Sequence, residues 1–189
     1  MSNGYFIPGT VHNRYYGFYS LLILTGADIT FQANLTGVHM DTVDLLDESL
    51  ITLSLKATDK YQAIEELLDL LVKAGKVKDR ELALKDLIER EQYLSTGLEN
   101  GLAVPHAKTD AVDTVLLAFG LSRQGIEFES VDGKPAHFIF LVLSPRETSG
   151  PHIRILAQIT RMFKDPDVPQ QMMNAKSPSD IIEIIRSHQ

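Results

Sequence analysis

The segment Ser95–His106, STGLENGLAVPH, ends on a histidine set directly behind a proline. Gly97 and Gly101 allow left-handed backbone or the close approach of a ligand, and Ser95, Thr96 and Asn100 add short polar groups. Such loops can turn several peptide N–H groups toward one anion. A histidine at the end of the loop could then accept a phosphoryl group whose oxygens are already solvated. The competing reading is a glycine-rich turn that a histidine happens to follow. Residue chemistry alone leaves both open.

Two further residues gain meaning only if they converge on His106. His152 follows Pro151 at a potential helix start, where peptide N–H groups favour an anion; otherwise it is a surface residue. Arg90 falls near the end of a predicted helix. It either pairs with Asp86 one turn earlier, or reaches the glycine-rich loop and forks onto phosphate oxygens. His12, His39, His137 and His188 are read as idle or structural. Grouping His106 and Asp110 with His152 as a metal or hydrolase site needs a helix that Pro105 disfavours. Neither an HExxH run nor a phosphate-binding G-x-x-x-x-G-K-[ST] loop occurs, so no metal and no cofactor is expected.

The whole chain bounds these options. Its 189 residues, 44% apolar and 23% charged, suit one compact domain with an appendage. A net charge of −7 argues against a nucleic-acid partner, which requires a basic surface. Cysteine is absent, so thiolate nucleophiles, thiolate metal sites and disulfides are excluded, which fits a cytoplasmic protein. Composition changes sharply near residue 40. Residues 1–39 hold seven aromatics but only two formal charges, Arg14 and Asp28. Within them the apolar run Tyr15–Leu24 is far shorter than the roughly 20 residues that span a bilayer. No membrane insertion is expected. Residues 1–39 read as an atypical extension or as sequence upstream of a true start at Met40, and 40–189 as the functional domain. A native intact mass that includes 1–39 would overturn the second reading.

From Met40 the chain alternates helical and strand patterns. Asp41–Leu46 reads as a short helical turn and Ile51–Leu55 as a strand. Thr58 can cap a helix over Asp59–Ala74, and Asp79 a second to about Tyr93 burying Leu82, Leu84, Leu87 and Ile88. Leu102–Val104 reads as a brief strand. Val115–Leu121 and Phe138–Leu143 have the length and apolarity of central strands, with a turn at Ser130–Pro135. A helix runs from Pro151 to Lys164, and Ser177-Pro178-Ser179-Asp180 opens another over Ile181–Arg186. The two adjacent helices between the first strands provide a crossover. The expected fold is α/β, a three-layer α/β/α sandwich with a central mixed β-sheet.

Arg90-Glu91, Ser95-Thr96-Gly97 and Asn100-Gly101-Leu102-Ala103-Val104-Pro105-His106 together resemble a known signature. It is the active-site motif of fructose/mannitol-type (type 2) enzyme IIA domains of the bacterial phosphoenolpyruvate-dependent sugar phosphotransferase system. The likeness extends to Leu45-Leu46-Asp47 with Ile51, to Gly125-Ile126 with Phe128 and Asp132-Gly133-Lys134-Pro135, and to His152 with Leu156-Ala157. It spans roughly residues 41–187. The resemblance implies a cytoplasmic phosphotransferase in which His106 accepts a phosphoryl group from the carrier protein HPr and passes it to an enzyme IIB domain. It makes His152 the partner histidine, Arg90 a supporting cation, and Thr96, Gly97 and Gly101 part of the loop around the phosphate. Some members of the family instead regulate other proteins through the phosphorylation state of the histidine. Glu99 departs from the pattern, standing where a glycine is common; it is expected to point outward.

Overall fold

The computed structural model describes residues 41–188. The extension 1–39, with Tyr15–Leu24, His12 and His39, lies outside them. Two 3₁₀ turns, Thr42–Leu45 and Glu48–Leu50, lead into strand β1 (Ile51–Thr52). Helices α1 (Lys60–Lys73) and α2 (Arg80–Tyr93) follow, then β2 (Leu102–Ala103), β3 (His106–Lys108), β4 (Leu116–Ile126) and β5 (Ala136–Ser144). Helices α3 (Gly150–Met162), α4 (Asp167–Asn174) and α5 (Pro178–Ser187) complete the domain.

The sheet is five-stranded and mixed: β4 pairs antiparallel with β5, β1 parallel with β4, and both β2 and β3 parallel with β5. Strand side chains alternate between faces. On one face Phe138 and Phe140 meet Phe163, which follows α3, at ring-centroid distances of 5.4 and 6.1 Å. Ile139, Leu141 and Leu143 alternate with them and are fully buried. The apolar stripe of α1 (Ala63, Ile64, Leu67, Leu68, Leu71) packs onto β4 and β5, with α2 beside it. Two helical layers thus enclose the sheet, as the alternation of patterns predicts. No helix among the described residues is long and apolar enough to cross a membrane.

Several boundaries differ from the sequence reading. Asp59, not Thr58, caps α1: its carboxylate accepts from the N–H groups of Tyr61 and Gln62, each at 2.9 Å. The Thr58 hydroxyl bonds Gln62 instead. The first strand is confined to Ile51–Thr52, although Leu55 still donates to the Leu121 carbonyl at 3.1 Å. The brief strand ends at Ala103, before Val104. The buried face of α2 is Ala83, Leu87 and Glu91, leaving Leu82, Leu84 and Ile88 half-buried. Helix α3 ends at Met162 rather than Lys164. Helix α4 was not anticipated; Pro169 masks it, yet sits in its first turn, where a missing N–H costs nothing.

Candidate active site

An interrupted edge strand creates the site. β2 pairs with Phe138 and Ile139 of β5, and β3 resumes along the same strand opposite Val142, Leu143 and Ser144. Between them lies Val104-Pro105. Proline has no N–H to give a ladder and is tolerated at sheet edges; the Pro105 carbonyl still accepts from the Val142 N–H at 2.9 Å. The Val104 N–H turns back to the Thr96 carbonyl at 3.1 Å. The Val104 carbonyl is left for the His106 ring, whose Nδ1 lies 2.7 Å away. A carbonyl can only accept, so Nδ1 carries the proton and the neutral ring presents its lone pair on Nε2.

His106 is half-buried and His152 only 2% exposed. Their ring centroids are 5.5 Å apart, with the planes tilted by 58°. β5 and α3 bring them together. Ser144 closes β5, and its hydroxyl lies 2.8 Å from His152 Nδ1 in the first turn of α3. Arg90, in the last turn of α2, donates from Nη1 to the Leu94 carbonyl at 2.7 Å. Its charge acts on both imidazoles. The alternative pairing with Asp86 is not formed, because Arg146 takes that carboxylate at 3.1 Å. Arg146 also holds Asp110 at 3.0 Å, so the third member of the imagined metal or hydrolase site is engaged by a cation.

Both rings are held neutral. Burial lowers the His106 pKa to about 4; the Val104 hydrogen bond opposes this, while the charges of Arg90 and His152 reinforce it. Burial is likewise the first cause that pushes His152 down to about 4, followed by the charges of Lys108 and Arg90. The ordinary histidine pKa is about 6.5, so between about pH 4 and 6.5 the unfolded chain binds more protons than the folded one. The stability these rings contribute is therefore complete above that range and lost as the pH falls through it. Imidazole NMR should show both rings neutral at pH 5.5, His106 with its proton on Nδ1, and titration midpoints near 4. Midpoints near 6.5 would contradict the buried, cation-flanked arrangement.

The preceding loop is organised by a carboxylate that sequence reasoning passed over. The Glu91 side chain is fully buried. It accepts from the Thr96 N–H at 3.2 Å, the Thr96 hydroxyl at 2.6 Å and the Ser95 hydroxyl at 3.0 Å. Lys60 Nζ lies 3.5 Å from it and bonds Glu129 at 2.9 Å. The signal was available: Ala83, Leu87 and Glu91 recur every four residues, which puts the acid on the buried stripe of α2. Gly97 is needed for close approach, since a Cβ there would stand 2.7 Å from the Phe128 carbonyl oxygen. Gly101 has φ +73°, and its carbonyl accepts from the N–H groups of His137 and Phe138 at 2.7 and 3.0 Å. Thr96, Gly97 and Gly101 thus make their hydrogen bonds and close contacts with the scaffold rather than with either imidazole. Glu99 is exposed, as an outward-pointing carboxylate should be.

Comparison with known proteins shows the family. The family described as "Phosphoenolpyruvate-dependent sugar phosphotransferase system, EIIA 2" matches residues 44–188. The fructose-specific EIIA component of Haloferax volcanii is 40% identical over 136 residues, covering 72% of this chain and 88% of that protein. The fructose-specific EIIABC component of Bacillus subtilis is 34% identical over 149 residues, covering 79% of this chain. The matched region is only 24% of that longer protein. Among solved structures, the nitrogen regulatory protein IIA-Ntr of Neisseria meningitidis superimposes with a TM-score of 0.67 at 28% identity. That match covers 76% of this chain and 97% of the other.

Proposed function

We propose that this chain, which belongs to the type 2 enzyme IIA family of the phosphoenolpyruvate-dependent sugar phosphotransferase system, relays phosphoryl groups through His106. The donor is HPr and the acceptor an enzyme IIB domain serving sugar uptake in the cytoplasm. The carrying observation is the hydrogen bond from His106 Nδ1 to the Val104 carbonyl, which presents the other nitrogen beside His152.

In the forward step the lone pair on His106 Nε2 attacks the phosphorus of the donor's phosphohistidine. The new N–P bond forms as the donor's N–P bond breaks, and the donor imidazole leaves with that electron pair. The proton on His106 Nδ1 stays in its bond to Val104, so the neutral ring becomes cationic on forming the N–P bond, which makes it a good leaving group for onward transfer. Phosphoryl transfer runs through a loose transition state, so positioning and charge stabilisation do most of the work. If the Ser144 hydroxyl donates to His152 Nδ1, then His152 Nε2–H is free to bond a phosphoryl oxygen. Arg90 adds positive charge. Thr96, Gly97 and Gly101 act by shaping the loop that aims His106. Residues 40–189 form the relay domain.

Incubating the full chain with phosphoenolpyruvate, enzyme I and HPr should give one acid-labile phosphoryl group per molecule, mapped to His106. A chain that takes no label under conditions that phosphorylate HPr refutes the relay. The likeness to a nitrogen regulatory protein supports a second reading, in which phosphorylation switches binding to other proteins. Rapid transfer of label to a fructose-type IIB domain favours uptake. Stable capture of a kinase or ion transporter, with no transfer to IIB, favours regulation.

A further inference from the structure

Among the described residues, neither of the two cations set near the imidazoles, Arg90 and Lys108, forms an ion pair with a carboxylate. Several other cations do meet carboxylates: Lys60 meets Glu91 and Glu129, Arg80 meets Glu65 and Asp69, Lys78 meets Asp113, and Arg146 meets Asp86 and Asp110. Arg90 is bound instead to a backbone carbonyl, and Lys108 to the Ser149 hydroxyl at 3.0 Å. The charge of Arg90 acts on both rings and that of Lys108 on His152, while the histidines themselves remain neutral. Two full positive charges beside two neutral rings leave room for a dianion.

Lys108 is placed for this by strand geometry. It stands two residues after His106, so both project from the same face of β3. Its register partner on β5 is Ser144, the residue whose hydroxyl contacts His152. Ser149, which holds the ammonium, immediately precedes α3, where His152 lies. The lysine therefore pairs in register with the residue that contacts His152, and its head is held by one hydrogen bond to a rotatable hydroxyl.

We propose that Lys108 is a second charge-compensating residue of the transfer step, its ammonium leaving Ser149 to meet the oxygens of the phosphoryl group as that group reaches His106. The inference rests on the relay reading. With Arg90 it balances the roughly two negative charges of a phosphoryl group. Preorganised cations act where charge is held during transfer, in a site from which water is partly excluded. Lys108 can act as a mobile point charge, whereas Arg90 is fixed by its bond to Leu94.

The test is single-turnover phosphorylation of the full chain by HPr that has been phosphorylated with phosphoenolpyruvate and enzyme I. Lys108→Gln should slow the maximal rate at least about tenfold, and Lys108→Arg should restore most of it. Ser149→Ala should leave the rate near wild type, because that contact holds the resting ammonium only. In the same Gln variant the His152 titration midpoint should rise but stay well below the ordinary value of about 6.5, with far-UV circular dichroism unchanged, reporting that the charge has been removed without unfolding the site. An unchanged maximal rate in Lys108→Gln overturns the inference. So does a loss confined to the apparent affinity for phospho-HPr, which assigns the lysine to docking, or an equal loss in Ser149→Ala, which makes it a structural latch. If the wild-type chain takes no label, the relay itself fails, and that outcome is distinct from all of these.

Discussion

His106→Gln should abolish phosphoryl labelling, lowering it by at least about three orders of magnitude while far-UV circular dichroism stays unchanged. A covalent relay has no residual route once its nucleophile is gone. The neighbouring ring is no substitute. His152 is 2% exposed, its Nδ1 faces the Ser144 hydroxyl, and its ring centroid lies 5.5 Å from that of the more exposed His106. His152→Ala should behave differently: the acceptor survives, but a phosphoryl-oxygen donor is lost, so labelling should persist at a rate lower by about 10²-fold. Radiolabel transfer from HPr, with peptide mapping of the acid-labile adduct, reads both variants. Label recovered on His152 in the His106→Gln protein would reverse the two assignments.

The parts of this site that were legible in the sequence share one property: their signal is local. Pro105-His106 behind a glycine-rich loop is local, and so are Asp79 as the cap of α2 and the Ser177/Asp180 capping box of α5. The long apolar runs of β4 and β5 likewise declare a sheet covered on both faces. Convergence is not local. That Ser144 would bridge to His152, or that Arg146 rather than Arg90 would claim Asp86, depends on where β5 ends relative to β3. Register of that kind is a tertiary outcome, and residue spacing within one element does not encode it. Helix α2 shows the intermediate case. Reading its leucines alone placed Leu82, Leu84 and Ile88 inside, whereas the buried stripe runs through Ala83, Leu87 and Glu91. Excluding a charged residue from the candidate core hid the acid that fixes the loop.

Glu91→Ala should therefore be among the most damaging substitutions in the domain, lowering stability by about 3–5 kcal/mol in urea unfolding. The cause is what remains after truncation. The Thr96 N–H and hydroxyl lose their acceptor in a place where Thr96 is only 5% exposed. The Ser95 hydroxyl retains the Phe128 carbonyl. The Lys60 side chain, 10% exposed, is left with the 71%-exposed Glu129 as its carboxylate partner. Burial alone would depress the Lys60 pKa; the hydrogen bond to Glu129 and the charge of Glu91 outweigh it, and the group is raised. Removing Glu91 leaves the burial of the ammonium and takes away one of the charges that offset it. Glu91→Gln keeps an acceptor for the loop and should cost less than Glu91→Ala. Lys60→Met combined with Glu91→Leu should also cost less than Glu91→Ala alone, because no buried charge is then left unpaired. A loss under about 1 kcal/mol for Glu91→Ala would mean that water enters and replaces the carboxylate. In that case Thr96 and Gly97 must be held by other contacts. The prediction also links stability to transfer: in Glu91→Gln the chain stays folded, so any slowing of His106 labelling reports loss of the Thr96–Val104 tether that aims the imidazole.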